Sequence, residues 1–146
     1  ATTTDLSSGT YILEDDVTLT SGALTIPTGA NVTIKLNGKK LTNKDGNHTI
    51  VNNGTLTITG SGTVDNISNS RAALYNNAGA TATLNGGTYT RSHEAGQDKD
   101  TSGGNSYYTL KNFGSMTINS GVTVKQDGTT NGGTTGKYSS LVANGW

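Results

Sequence analysis

The sequence predicts an all-β fold: a right-handed parallel β-helix (β-solenoid) of about five short three-strand coils. Three observations predict it. The 146-residue chain is polar, with 30% hydrophobic and 14% charged residues and 21 glycines, yet its apolar residues fall in a regular pattern, which a disordered chain lacks. The pattern repeats: Thr25–Gly38 shifted by 24 residues falls on Thr49–Gly62, so Ile26 lands on Ile50, Val32 on Leu56, Ile34 on Ile58 and Gly38 on Gly62. Each copy contains an apolar–Thr–apolar triplet, the period-2 signature of a strand.

Taken in order, residues 1–20, with Tyr11–Leu13 and Val17–Leu19, read as an N-terminal cap or a partial first coil. Lead strands open at Ile26, Ile50, Leu74, Leu110 and Leu141, spaced 24, 24, 36 and 31 residues apart. A fixed inner pattern with an irregular period means one stacked unit carrying insertions at a tolerant corner. The middle strand of each coil sets Val32, Leu56, Ala82 and Met116 beside Ile34, Ile58, Leu84 and Ile118 in inward columns, with Thr33, Thr57, Thr83 and Thr117 pointing out between them. A third strand, around Val64 in the second full copy, closes the coil. Asn52, Asn76 and Asn112 form a column at a bend, interrupted at Ala143, and stacked amides there bond one another and the bend backbone. Gly54, Gly79, Gly114 and Gly145 are expected at corners that need positive φ. Strand-to-strand parallel crossovers are right-handed in nearly all cases, which sets the expected hand. The chain reads as one domain, 1–146, whose last copy opens at Leu141 and stops at Trp146, so an uncapped end excised from a longer protein is expected.

Composition excludes several function classes. Ten basic and ten acidic residues cancel, with no Lys/Arg run, so nothing favours a nucleic-acid partner. No apolar stretch approaches the roughly 18 residues of a membrane span. Without cysteine there is no disulfide and no thiolate metal site. The expected architecture resembles that of pectate lyases without the catalytic residues, because strand positions carry Thr, Lys35, Thr59 and Lys111 while Asp15, Asp16, Asp65, Asp98 and Asp100 are expected in turns or loops. Polysaccharide cleavage on this fold needs clustered carboxylates. His93–Glu94 lacks a nucleophile, and Asp98–Lys99–Asp100 lacks the glycine and distal glutamate of a calcium loop. The chain is therefore expected not to be an enzyme and to need no metal or cofactor. The Thr column, one residue wide and interrupted by insertions, reads as an exposed pleat and not as an ice-binding lattice.

The insertions concentrate the unusual residues. Four connections, Thr42–His48, Asp65–Ala72, Thr90–Ser106 and Lys125–Ser139, leave one corner and must stack side by side. The candidate binding residues are Arg91, His93, Glu94, Asp98, Lys99, Tyr107, Tyr108, Lys125, Asp127 and Tyr138, on or beside the two longest of these loops. Aromatics and Arg are enriched at protein-binding hot spots, and loops on one side of a solenoid often form its binding face. A passive spacer or stalk and a carbohydrate-binding module are the alternatives. A sugar platform needs aromatics exposed along a strand face, and the chain has only six Tyr, one Phe and one Trp.

The run Asp16–Leu19, the phrase Leu36–Leu41 and the segment Asn53–Ile58 resemble β-helix repeats in large surface proteins of Gram-positive gut commensals, over nearly the whole chain from Tyr11. Within that set the chain also resembles modules that bind host immunoglobulin. The resemblance implies an extracellular setting, at the cell surface or secreted, and a host protein as partner, with immunoglobulin the partner implied; the module is expected to be a monomer.

Overall fold

Short runs of Thr with β-branched or aliphatic residues, each closed by Gly, Asn or a turn, form strands of two to six residues. The computed structural model describes residues 5–68, 71–92, 107–125 and 139–145. Among them are fifteen strands and no helix. The first coil holds β1 (Gly9–Ile12), β2 (Val17–Leu19) and β3 (Leu24–Ile26). The second holds β4 (Asn31–Lys35), β5 (Lys40–Asn43) and β6 (Ile50–Asn52). The third holds β7 (Thr55–Thr59), β8 (Thr63–Asn66) and β9 (Leu74–Asn76). The fourth holds β10 (Thr81–Asn85), β11 (Thr88–Thr90) and β12 (Tyr107–Asn112), and the fifth β13 (Ser115–Ile118), β14 (Thr123–Val124) and β15 (Ser139–Asn144).

Every strand pairs in parallel with the strand three places on, which builds three five-stranded sheets. The middle sheet is β1-β4-β7-β10-β13, the third sheet β2-β5-β8-β11-β14 and the lead sheet β3-β6-β9-β12-β15. This is a parallel β-solenoid. Residues 9–19, read from sequence as a cap or partial coil, supply the first strands of two sheets.

The core is a thin prism of columns. Ile26, Ile34, Ile50, Leu56, Ile58, Leu74, Leu84 and Leu110 are buried as expected, joined by Val32, Leu36, Leu41, Val64, Ala82 and Tyr89. Thr33, Thr57 and Thr83 are half-buried and Thr117 exposed on the outer face. Two registers differ from the sequence reading. Leu24, not Ile26, pairs with Ile50, and Ile26 pairs with Asn52. The connection Pro27–Ala30 is two residues longer than Asn53–Gly54, so a shift that aligns the middle strands misaligns the lead strands by two. A two-residue slip preserves facing, so Ile26 still points inward. In the last copy Val142, not Leu141, pairs with Leu110. A one-residue slip flips every side chain, and Leu141, expected in the core, is 47% exposed. Ile118 and Val142 keep inward register but are 43% and 39% exposed, because among the described residues no strand lies beyond theirs.

The same slip lengthens the Asn column. Asn52 Nδ2 donates to Asn76 Oδ1 at 2.7 Å, Asn76 Nδ2 to Asn112 Oδ1 at 2.8 Å, and Asn112 Nδ2 to Asn144 Oδ1 at 2.6 Å. Asn144, and not Ala143, occupies the place after Asn112. The second amide hydrogen of Asn52 and of Asn76 goes to a carbonyl, Thr81 and Ser115 respectively, at 3.0 Å. The Gly54 and Gly114 N–H groups donate to Asn52 Oδ1 and Asn112 Oδ1. Gly79 and Gly145 have the expected positive φ, but Gly54 and Gly114 do not. Those two are required by close approach: a Cβ on Gly54 would stand 2.5 Å from the carbonyl oxygens of Ala30 and Pro27, and Ala80 and Asn77 crowd Gly114 in the same way.

Replacing Asn76 by Ala leaves the buried amides above and below without ladder partners and should lower stability by about 2–4 kcal/mol. Thr57→Ala on the outer face should stay within about 0.5 kcal/mol. Urea midpoints at equal slope measure both; an Asn76→Ala midpoint equal to that of Thr57→Ala would remove the ladder from any structural role.

Candidate functional site

The insertions leave the corner between the third and lead sheets, after β5, β8, β11 and β14, as the sequence requires. Two side chains build this corner. Asn43 Oδ1 accepts from Asp45 N at 2.7 Å while its amide donates to the Gly22 and His48 carbonyls. Asn66, its register partner, accepts from Ser68 N at 2.8 Å and donates to the Asn47 and Ala72 carbonyls and to Thr49 Oγ1. The Asn side chain thus closes a turn on its own strand and ties that turn to the next.

In the fourth coil this place falls to Arg91, since Thr90 pairs with Asp65 and Arg91 follows. Arg91 is fully buried. Sequence reading had set it on the surface of a loop. A guanidinium brings five N–H donors where an amide brings two, which suits a corner from which a longer connection departs. Asp65 was read in a turn but lies in β8, fully buried, and its carboxylate accepts from Ser92 N at 2.8 Å and from Ser92 Oγ. Lys40 Nζ reaches the same carboxylate at 2.9 Å. Beside this pair the third sheet has a shallow hollow of about 300 Å³ lined by Lys40, Thr63, Thr88, Thr90, Ser92 and Lys125.

The lead sheet's outer face carries the chemistry that sequence reasoning missed. Val51, Tyr75, Lys111 and Ala143 form one outward column. Asn53, Asn77 and Phe113 form the next, where Asn77 Nδ2 donates to Asn53 Oδ1 and the Phe113 N–H bonds the Asn76 carbonyl. His48 stacks on Tyr75 with centroids 4.8 Å apart and planes at 19°, and Tyr75 meets Phe113 at 5.7 Å and 53°. Lys111 Nζ lies 5.6, 5.8 and 5.4 Å from the ring centroids of Tyr75, Tyr108 and Phe113, within cation–π range of all three. Ala72 N donates to His48 Nδ1 at 2.8 Å, which fixes the ring as the neutral Nε2–H tautomer. Burial, then the positive charges of Arg71, Lys111 and Arg91, hold the His48 pKa down at about 4. No sequence periodicity announced this cluster, because His48, Tyr75 and Phe113 occupy different columns and meet only across coils.

Of the candidate residues, Tyr107 and Tyr108 open β12 in register with Ser139 and Ser140. Tyr108 joins the aromatic face. Lys125 is exposed at the end of β14, and its carbonyl accepts from Thr109 Oγ1 at 3.1 Å, so β12 and β14 meet at the corner. His93, Glu94, Asp98, Lys99, Asp127 and Tyr138 lie outside the described residues. Among the described residues no three His, Asp or Glu side chains converge. The middle sheet is plainer but wider than the single Thr column expected. Thr55–Thr81–Ser115 and Thr59–Asn85 flank Thr57–Thr83–Thr117, and the insertions leave another corner.

His48 has a folded-state pKa below its ordinary 6.5, so between those values the unfolded chain binds more protons and stability falls as pH drops from 6.5 toward 4. In an NMR titration the His48 ring should stay neutral until about pH 4. His48→Asn should flatten the stability slope over the same window; a wild-type ring titrating at its ordinary value would refute the burial and charge argument. No protein family, no curated protein and no solved structure is matched by this chain.

Proposed function

We propose that this chain is a non-enzymatic binding module of a bacterial surface or secreted protein, engaging a host protein through the lead-sheet face and the insertion corner beside it. One observation carries the reading: His48, Tyr75, Tyr108 and Phe113 gather around Lys111 on an outer sheet face whose neighbouring faces carry mainly Thr, Ser and Asn. Half-exposed aromatics with a cation among them are the composition of protein-binding hot spots. The ring arrangement favours a protein over a sugar. A sugar platform needs rings laid open along a strand face, whereas His48 covers one face of Tyr75 and Phe113 is tilted against the same ring. Immunoglobulin is the partner to test first, on the strength of the sequence resemblance.

Binding of the whole chain to immobilised serum immunoglobulin, read by surface plasmon resonance, tests the reading. Tyr75→Ala and Phe113→Ala should each weaken affinity about tenfold or more, roughly 1.4 kcal/mol. Thr57→Ala and Thr83→Ala should leave it unchanged. Unaltered affinity in both aromatic variants would move the contact away from this face.

A further inference from the structure

We propose that Asn85–Gly86 is a site of spontaneous covalent modification, where the Gly86 nitrogen closes on the Asn85 side chain and converts Asn85 to aspartate and isoaspartate. The proposal is independent of the binding reading above.

An Asn followed by Gly is the most reactive pairing for this chemistry, because Gly has no Cβ to hinder the ring that forms. The chain has five such pairs, Asn37–Gly38, Asn53–Gly54, Asn85–Gly86, Asn131–Gly132 and Asn144–Gly145. Asn131–Gly132 lies outside the described residues. In three of the other four the attacking nitrogen is held in a hydrogen bond. Gly38 N donates to the Ser61 carbonyl at 2.7 Å, Gly54 N to Asn52 Oδ1 at 3.1 Å and Gly145 N to the Asn112 carbonyl at 2.7 Å. Each must lose that bond before it can attack. Gly86 N makes no hydrogen bond among the described residues.

The group under attack is set up as well. Asn85 is exposed at the end of β10, and its Oδ1 accepts from Asn119 Nδ2 at 2.6 Å. That donor draws electron density from the Cγ carbonyl and steadies the oxyanion that forms when nitrogen adds. The Gly86 amide gives its proton to hydroxide, and its nitrogen bonds to Asn85 Cγ. The Cγ–Nδ2 bond then breaks, and the leaving nitrogen takes a proton from water and departs as ammonia. Water adds to the five-membered imide at either carbonyl. One opening restores the main chain with an aspartate. The other leaves isoaspartate, whose main chain runs through the side chain and is one atom longer.

The corner between the middle and third sheets has no room for that atom. A Cβ on Gly86 would stand 2.8 Å from the Gly60 carbonyl oxygen. The Gly86 carbonyl accepts from the buried Tyr89 hydroxyl at 3.1 Å, and Thr88 N bonds the Gly62 carbonyl at 2.8 Å. Isoaspartate therefore loosens β11 from β8, whereas aspartate keeps the chain length and only adds a carboxylate beside Asn119.

The test holds the whole folded chain in warm, mildly alkaline buffer and follows it by peptide mapping with electron-transfer fragmentation, which separates isoaspartate from aspartate. Asn85 should convert several-fold faster than Asn37, Asn53 or Asn144, at a rate proportional to hydroxide. In the urea-unfolded chain the four rates should converge, since only folded-state bonds tell them apart. Asn119→Ala should slow conversion of Asn85 several-fold. The aged chain should unfold at lower urea than the Asn85→Asp variant. Conversion led by Asn37, Asn53 or Asn144, equal rates at all four, or no conversion in the folded chain overturns the proposal. A rate at Asn85 that holds or rises in Asn119→Ala overturns the role of that amide. An aged chain as stable as Asn85→Asp overturns the loosening of the corner.

Discussion

The parallel pairing of each strand with the strand one coil away is the constraint on which everything else depends. It puts like residues directly over like, at the strand spacing of about 4.8 Å. Any side chain repeated at the coil period becomes a column, and a column must be compatible with itself. Aliphatic columns fill the interior, Thr columns cover the pleat and Asn columns turn the bends. A prism only one side-chain layer deep on each of three sides needs few apolar residues, which is why 30% hydrophobic content suffices. The Asn column shows what self-compatibility demands. An amide carries both donor and acceptor, so Asn76 and Asn112 each give a bond to the next coil and receive one from the coil before, with Asn52 and Asn144 at the two ends of the ladder. A column of like charges in the same place would repel.

The three corners are not equivalent. Those on either side of the middle sheet are turned by short connections such as Asn53–Gly54 and Gly86–Gly87, where neighbouring carbonyls leave no room for a Cβ on Gly54. The corner between the third and lead sheets is closed by Asn side chains that bond outgoing turn and incoming strand together. Because the closure is made by a side chain, the length of chain beyond it is free to vary. Loop length itself weighs little on stability. Arg91 holds the same place where the longest connection leaves.

In a solenoid, departures from a column are more informative than the column. Val51 gives way to Tyr75 and then to Lys111, and Asn53 and Asn77 give way to Phe113. None of these changes is needed to stack the coils, since the outer positions are half-exposed. They fall on adjacent coils of one sheet, beside the corner that carries the insertions, and they convert a polar pleat into an aromatic face with a cation at its centre.

The sequence by itself determined the parallel solenoid, the inward columns of the central coils, the Asn ladder and the corner of the insertions, because all of these repeat and a repeat is visible in one dimension. It placed the lead strands of the first and last copies two residues and one residue off, because connections such as Pro27–Ala30 vary in length and a fixed shift cannot follow them. Tertiary structure alone decided what does not repeat. It buried Arg91 and Asp65, which look like loop residues in a polar sequence but cap a packed corner. It brought His48, Tyr75, Tyr108, Lys111 and Phe113 together, since side chains spread over three successive coils of the chain become neighbours only when those coils stack.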